Sequence, residues 1–128
     1  MQTLTTHGIR ISVVHQYQPS HSEPRRNYFL HVYDITIENQ NAFPVQLMKR
    51  HWVIQEGSGS RNEVMGDGVI GLQPKINPGC IHAYSSYCVI RSEIGRMQGR
   101  YFMRRLDDHT EFEVEIPPFM LELPWKNN

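Results

Sequence analysis

Ile94-Gly-Arg-Met-Gln-Gly-Arg-Tyr-Phe-Met-Arg-Arg-Leu106 and, after a short break, Thr110-Glu-Phe-Glu-Val-Glu-Ile116 decide the fold class. Both alternate with period two, the mark of half-buried strands. In the first, Met97, Tyr101 and Met103 share one face with Gly99, while Arg96, Arg100 and Arg104 share the other with Gln98 and Phe102. In the second, Phe112, Val114 and Ile116 oppose Glu111, Glu113 and Glu115. A hairpin turning at Asp107-Asp108 sets Arg104 against Glu111, Arg100 against Glu115 and Met103 against Phe112, and a four-residue loop keeps the same parity. A slip of one residue would put a methionine against a glutamate, so the charges specify register. Each opposite-charge pair adds only about 0.2–1 kcal/mol. The basic stripe therefore reads as a self-neutralised sheet face rather than a phosphate-binding surface.

The rest of the chain has the same character. Ile9, Ile11 and Val13 share a face, as do Phe29, Tyr33, Ile35 and Ile37, with His31 among them. Met48, Trp52 and Ile54 are expected to share a third, with Arg50 as the odd member. Residues 80–90 are ambiguous, fitting helical and strand templates each in part. Loops are expected at 18–27, 40–44, 57–60 and 73–79, where the prolines and glycines gather. Seven or eight short strands and no convincing amphipathic helix predict an all-β antiparallel sandwich or barrel. Trp52, on the third strand, resembles the buried tryptophan of immunoglobulin-like sandwiches.

Thirteen basic and thirteen acidic side chains cancel in a chain of 128 residues. One domain over 1–128 is expected. A neutral balance argues against nucleic-acid partners and against an anionic membrane surface. No stretch approaches the roughly 18 apolar residues of a membrane span, and the first residues lack a signal peptide's basic and apolar regions. If 80–89 is one strand, Cys80 and Cys88 stand roughly 26 Å apart, far beyond the about 7 Å a disulfide allows. A reduced, cytoplasmic protein is expected. No paired ligand spacing for zinc is present, Cys80 and His82 being the nearest approach, and no nucleophile or metalloprotease motif appears. No catalytic residue, metal or cofactor is therefore assigned.

Gly66-Asp67-Gly68-Val-Ile-Gly71 spells G-x-G-x-x-G. Dinucleotide binding by that pattern needs a helix opening on the glycines, so that its N-terminus meets the pyrophosphate. Pro74 and Pro78 follow too soon for such a helix. The glycines are expected in a loop or irregular edge strand, where they permit positive φ and close backbone approach.

With its neighbours the motif is more specific. Pro44-Val-Gln-Leu47, Arg50, Trp52, Glu63-Val-Met-Gly-Asp-Gly-Val-Ile-Gly-Leu-Gln-Pro74, Pro78-Gly79, Tyr84-Ser-Ser86, Gly95-Arg-Met-Gln-Gly99 and Ile116-Pro117 occur in this order. The set, spanning about residues 8–124, resembles the ApaG family, also called CorD. The resemblance implies a fibronectin type III-like β-sandwich that is not an enzyme and acts as a protein-protein interaction module, with a link to cobalt and magnesium resistance. Its partner surface is expected at Gly66, Asp67, Gly68 and Gly71, within the loop 63–73, since loops on a rigid scaffold carry function. The alternative is a small-molecule or ion binder at the same loop, for a pyrophosphate-containing nucleotide or a divalent cation. Sheet edges offer a further route to a partner's sheet or to a homodimer.

Overall fold

The computed structural model describes residues 1–126; the last two residues of the expected 1–128 domain lie outside it. The strands are β1 (Gln2–Thr6), β2 (Ile9–Tyr17), β3 (Phe29–Asn39), β4 (Val45–Glu56), β5 (Arg61–Asp67), β6 (Lys75–Ile76), β7 (Ile81–Ile90), β8 (Gly95–Arg105) and β9 (Glu111–Leu121). Three single-turn 3₁₀ helices complete the described residues, which include no α-helix. All pairing is antiparallel. One sheet runs β1-β2-β3-β7; the other runs β5-β4-β8-β9, with β6 also paired to β4. With β2, β3 and β7 facing β5, β4, β8 and β9, the sandwich is fibronectin type III-like, and β1 extends it by a hairpin. The ambiguous 80–90 segment is a strand, fixed by ten residues of unbroken pairing with β3.

The hairpin β8–β9 has the expected register: Arg104 faces Glu111, Met103 faces Phe112 and Arg100 faces Glu115. Its connection is the four-residue loop, closed by bonds between Arg105 and Thr110 and between His109 and Arg105. One detail differs. Arg100 makes its ion pair with Glu113, at 3.2 Å, not with Glu115 opposite. The right-handed twist of paired strands brings a diagonal neighbour within reach of a long side chain. Further along, β9 carries one extra residue around Pro117-Pro118, since Gly99 pairs with Ile116 but Met97 with Phe119. The prolines cannot donate to a ladder, and a bulge in an edge strand is where they are tolerated.

The expected face Met48–Trp52–Ile54 is wrong at its first member. Leu47 pairs with Met103 and Lys49 with Phe102, so Met48 is an extra residue without a partner on β8. This bulge reverses parity. Before it the odd residues Val45 and Leu47 are buried; after it the even residues Trp52 and Ile54 face the core. Trp52 is 3% exposed and meets Tyr33 and Phe119 edge-on, at ring distances of 5.5 and 6.2 Å. Gly99 makes room for it: a Cβ there would lie 2.9 Å from the indole and 2.4 Å from the His51 carbonyl.

Buried polar groups are treated unequally. Asn39 is fully buried and fully used: its amide donates to the Phe43 and Ile76 carbonyls and its oxygen accepts from the Asn41 N–H. His31 is also fully buried, packed against Tyr17 at 5.3 Å, yet neither ring nitrogen meets a hydrogen-bond partner among the described residues. Burial pushes its imidazole down to about 4, with His15 adding a smaller push the same way. The unfolded chain binds that proton near pH 6.5. His31 therefore stays neutral in the native state, and its contribution is intact above pH 6.5 and lost as pH falls from 6.5 toward 4. The loss is about 3 kcal/mol at full protonation of the unfolded chain. Urea titrations across that window are expected to show stability falling with acidity in the native protein. His31→Leu flattens most of the slope; an unchanged slope in that variant would assign the acid sensitivity elsewhere.

Candidate functional site

The bulge organises the glycine loop. With Met48 out of the β4–β8 ladder, its carbonyl turns to the loop and accepts two bonds, from the Gly68 N–H at 2.9 Å and from the Gln73 side chain at 3.0 Å. Gln46 in turn donates to the Gln73 carbonyl at 3.0 Å. Arg50, the odd member of its face, is a strap: Nη1 donates to the carbonyls of Asp67 and Gly68 at 3.1 and 3.0 Å. The predicted site residues are contiguous in this frame. Gly66 and Asp67 end β5, opposite Arg50 and Lys49; Gly68 is the buried pivot after the strand; Gly71 lies at the tip.

The tip is a two-residue hairpin turn. Val69 and Leu72 exchange both backbone bonds, at 2.7 and 3.0 Å, and between them Ile70 and Gly71 have φ of 47° and 74°. Two successive positive φ values define the type I′ turn that matches strand twist. Each glycine has a local reason. A Cβ at Gly66 would lie 2.8 Å from the Arg50 guanidinium, and one at Gly68 would lie 1.9 Å from the Leu72 carbonyl. Gly71 faces open space and is needed only for its φ. The amides of Gly68, Val69 and Leu72 are all spent on protein carbonyls, which leaves them unavailable to cradle a phosphate.

The turn presents apolar side chains outward. Val69 is buried beneath it, while Ile70 is 61% exposed, Leu72 57%, and Met65 on β5 58%. A groove of about 580 Å³ opens beside them, lined by Met48, Met65, Gln73 and Phe102 and flanked by the Arg104–Glu111 ion pair. Phe102 stands on the arginine face where alternation puts it, but Met48 escapes that reading, because only the bulge brings it to this wall; a strand of twelve residues whose core parity fails midway is the signal that could have found it. Ile70 is the anomaly. A β-branched side chain at positive φ is strained, and this turn favours asparagine or glycine there.

Other candidates lie apart. Cys80 is exposed just before β7, and Cys88 is buried, its thiol pushed up to about 12 by burial and, less, by Glu56. Among the described residues no three His, Cys, Asp or Glu side chains are grouped to hold a metal ion, and no helix is long and apolar enough to cross a membrane. Between the sheets the Tyr84 and Tyr101 hydroxyls are hydrogen-bonded, and burial pushes both phenols up.

Residues 19–105 match the family model of the ApaG domain. The chain belongs to the ApaG family. It is 43% identical over its whole length to Protein ApaG of Anaeromyxobacter dehalogenans, which it covers completely. It is 42% identical to Protein ApaG of Pseudomonas aeruginosa, with 94% of each chain covered. In three dimensions it is similar to the putative ApaA protein of Bordetella pertussis, with a TM-score of 0.87, 35% identity, and 91% of this chain and 94% of that one covered. The C-terminal domain of wzt, at 7% identity and a TM-score of 0.56, shares the fold alone.

In this ApaG domain the three glycines should differ in cost, which a common ligand-cradling role does not require. Gly71→Ala is expected to lose about 1 kcal/mol, the strain of left-handed backbone. Gly68→Ala adds a backbone collision and is expected to lose at least about 2 kcal/mol. Chemical denaturation of the two variants measures both; equal losses would remove the close packing of Gly68 as the explanation.

Proposed function

We propose that this ApaG domain is a non-enzymatic, cytoplasmic protein-interaction module that docks a partner protein on the hairpin tip at residues 63–73. The observation that carries it is Ile70. Its backbone strain costs on the order of 1 kcal/mol, and its side chain, mostly in solvent, recovers little of that by packing. Strain kept at an exposed loop tip fits a side chain retained for a partner. Leu72 and Met65 widen the anchor, and the strapped turn holds it in place before binding, which lowers the entropic cost of association. The partner presents an apolar pocket, with charges placed to meet the Arg104–Glu111 rim. On this reading the cobalt and magnesium resistance linked to the family is exerted through the bound protein.

Binding of a pyrophosphate-containing nucleotide or a divalent cation at Gly66–Gly71 is the weaker reading, because the loop amides named above are already bonded. No nucleic-acid partner is proposed. The Arg104–Glu111 and Arg100–Glu113 pairs neutralise two of the three arginines of the basic stripe.

Ile70→Asn tests the reading because it separates folding from function. The variant is expected to be more stable by about 1 kcal/mol and to lose its partner. A photo-crosslinking residue at position 70 or 72 in cells is expected to capture a discrete protein, and one at Val14, exposed on another face, is not. Ile70→Asn in the Leu72 crosslinker background should abolish the capture. No discrete adduct at either position, or the same adducts from position 14, would overturn the proposal. Calorimetry with diadenosine tetraphosphate, ATP, Mg²⁺ and Co²⁺ is expected to show no heat; saturable heat lost in a loop variant would favour the ligand reading.

A further inference from the structure

A sheet edge exposes unpaired backbone groups, and stable proteins blunt such edges with charges, prolines, bulges or shortness. Three of the four edges here follow that rule. β5 carries Arg61, Glu63 and Asp67; β9 carries Glu111, Glu113 and Glu115 and the bulge at Pro117-Pro118; β1 has only five residues. β7 does not. Ile81-His-Ala-Tyr-Ser-Ser-Tyr-Cys-Val-Ile90 is ten residues without an Asp, Glu, Lys or Arg side chain, proline, glycine or bulge, and it ends its sheet. Its outer face, Ile81, Ala83, Ser85 and Tyr87, is exposed, with Ile81 at 59% and Tyr87 at 63%.

The direction of its free backbone groups follows from two bonds. Gln18 N–H donates to the Leu30 carbonyl, so the even residues of β3 serve β2; Asn39 N–H donates to the Cys80 carbonyl, so the odd residues of β3 serve β7 through its even residues. Bonding alternates along an antiparallel strand. The N–H and C=O groups of Ile81, Ala83, Ser85, Tyr87 and Val89 are therefore aimed at the open edge.

We propose that β7 is the edge through which two copies of this chain form a homodimer, pairing antiparallel about a two-fold axis at Ser85 and joining two four-stranded sheets into one of eight strands. The occupant is a second copy because the strand is its own complement. An axis at Ser85, an outward-bonding residue in the middle of the strand, matches outward groups with outward groups along the whole length. Ile81 then faces Val89 of the partner subunit, Ala83 faces the partner's Tyr87, and Ser85 faces the partner's Ser85. No like charges meet, since the strand has no Asp, Glu, Lys or Arg and its one imidazole, His82, faces Cys88 of the partner subunit, and the small residues beside the axis leave room for the tyrosine rings. An isologous contact of this kind consumes both edges and closes at two copies. It is separate from the loop at residues 63–73.

Sedimentation equilibrium and amide exchange test it. The native chain is expected to move reversibly between 15.0 kDa and twice that mass as its concentration rises from micromolar to millimolar. On association the amides of residues 81, 83, 85, 87 and 89 should gain protection. Ser85→Lys and Ser85→Glu each place like charges at the axis and are expected to weaken the dimer at least tenfold, while an equimolar mixture of the two restores it. Native chain that stays monomeric at millimolar concentration would overturn the proposal. So would dimers that persist unchanged in both charged variants, or exchange protection confined to another surface. If the charged variants fail to fold, Ser85→Cys combined with Cys80→Ser decides the matter. Hydrogen-bonded partners sit at a Cα distance of about 5.5 Å, within disulfide range. Mild oxidation is expected to give a disulfide-linked dimer, and its absence counts against the pairing.

Discussion

An antiparallel ladder holds an extra residue only by turning the strand, and in β4 that residue is Met48. Three properties of the molecule depend on the turn. It moves the core face from Val45 and Leu47 to Trp52 and Ile54, so that one strand serves two zones of the core. It frees the Met48 carbonyl to accept from Gly68 and Gln73, which ties the glycine loop to the sheet. It also swings the Met48 side chain into the groove beside Met65 and Phe102. Deleting the extra residue would restore the alternation but turn Trp52 away from Tyr33 and Phe119. The core and the candidate site are thus coupled through a single backbone irregularity.

Arg50 shows the same coupling from the side-chain end. A guanidinium on a core-facing position is costly unless its donors are met. Here Nη1 is satisfied by two carbonyls of the loop, and Gly66 is glycine because that guanidinium lies where its Cβ would be. The first two glycines of the motif therefore belong to the packing of β4 against β5 and the loop, and the third to the turn. A phosphate-binding motif uses its glycines to bring free N–H groups close to an anion. In this loop the close approach is made instead by protein carbonyls and by an arginine.

Much of this was legible from residues alone, for identifiable reasons. The charged hairpin reads correctly because its register is over-specified: arginine faces glutamate and methionine faces phenylalanine on opposite sides, and a one-residue slip violates both. Trp52 reads correctly because a large aromatic in a mid-sheet strand has few places to go. The Met48 face was misread because a bulge leaves no mark in composition; both parities of 45–56 look half apolar. Arg100 faces Glu115 as its position predicts, yet its ion pair goes to the diagonal Glu113, because strand twist is a three-dimensional property that opposite-residue counting omits. At the loop, the sequence showed that the helix required for dinucleotide binding could not form. It could not show that Ile70 occupies left-handed backbone, because the turn's position depends on where Met48 places the pivot at Gly68.

Natural chains are mostly self-consistent from local preference to packing, and departures mark places where something other than folding stability was selected. Two departures stand out here, and they differ in kind. His31 is internal, fully buried, and packed against Tyr17. Its cost is partly returned by the apolar contacts of the ring, and it grows as acid protonates the unfolded chain. Ile70 is external. Its side chain reaches into solvent, so its strain is not returned by the fold, and the residue types that would relieve it are common in such turns. A cost that is offset inside the molecule needs no partner to explain it. A cost that is offset nowhere inside it points outward, to whatever meets the apolar tip.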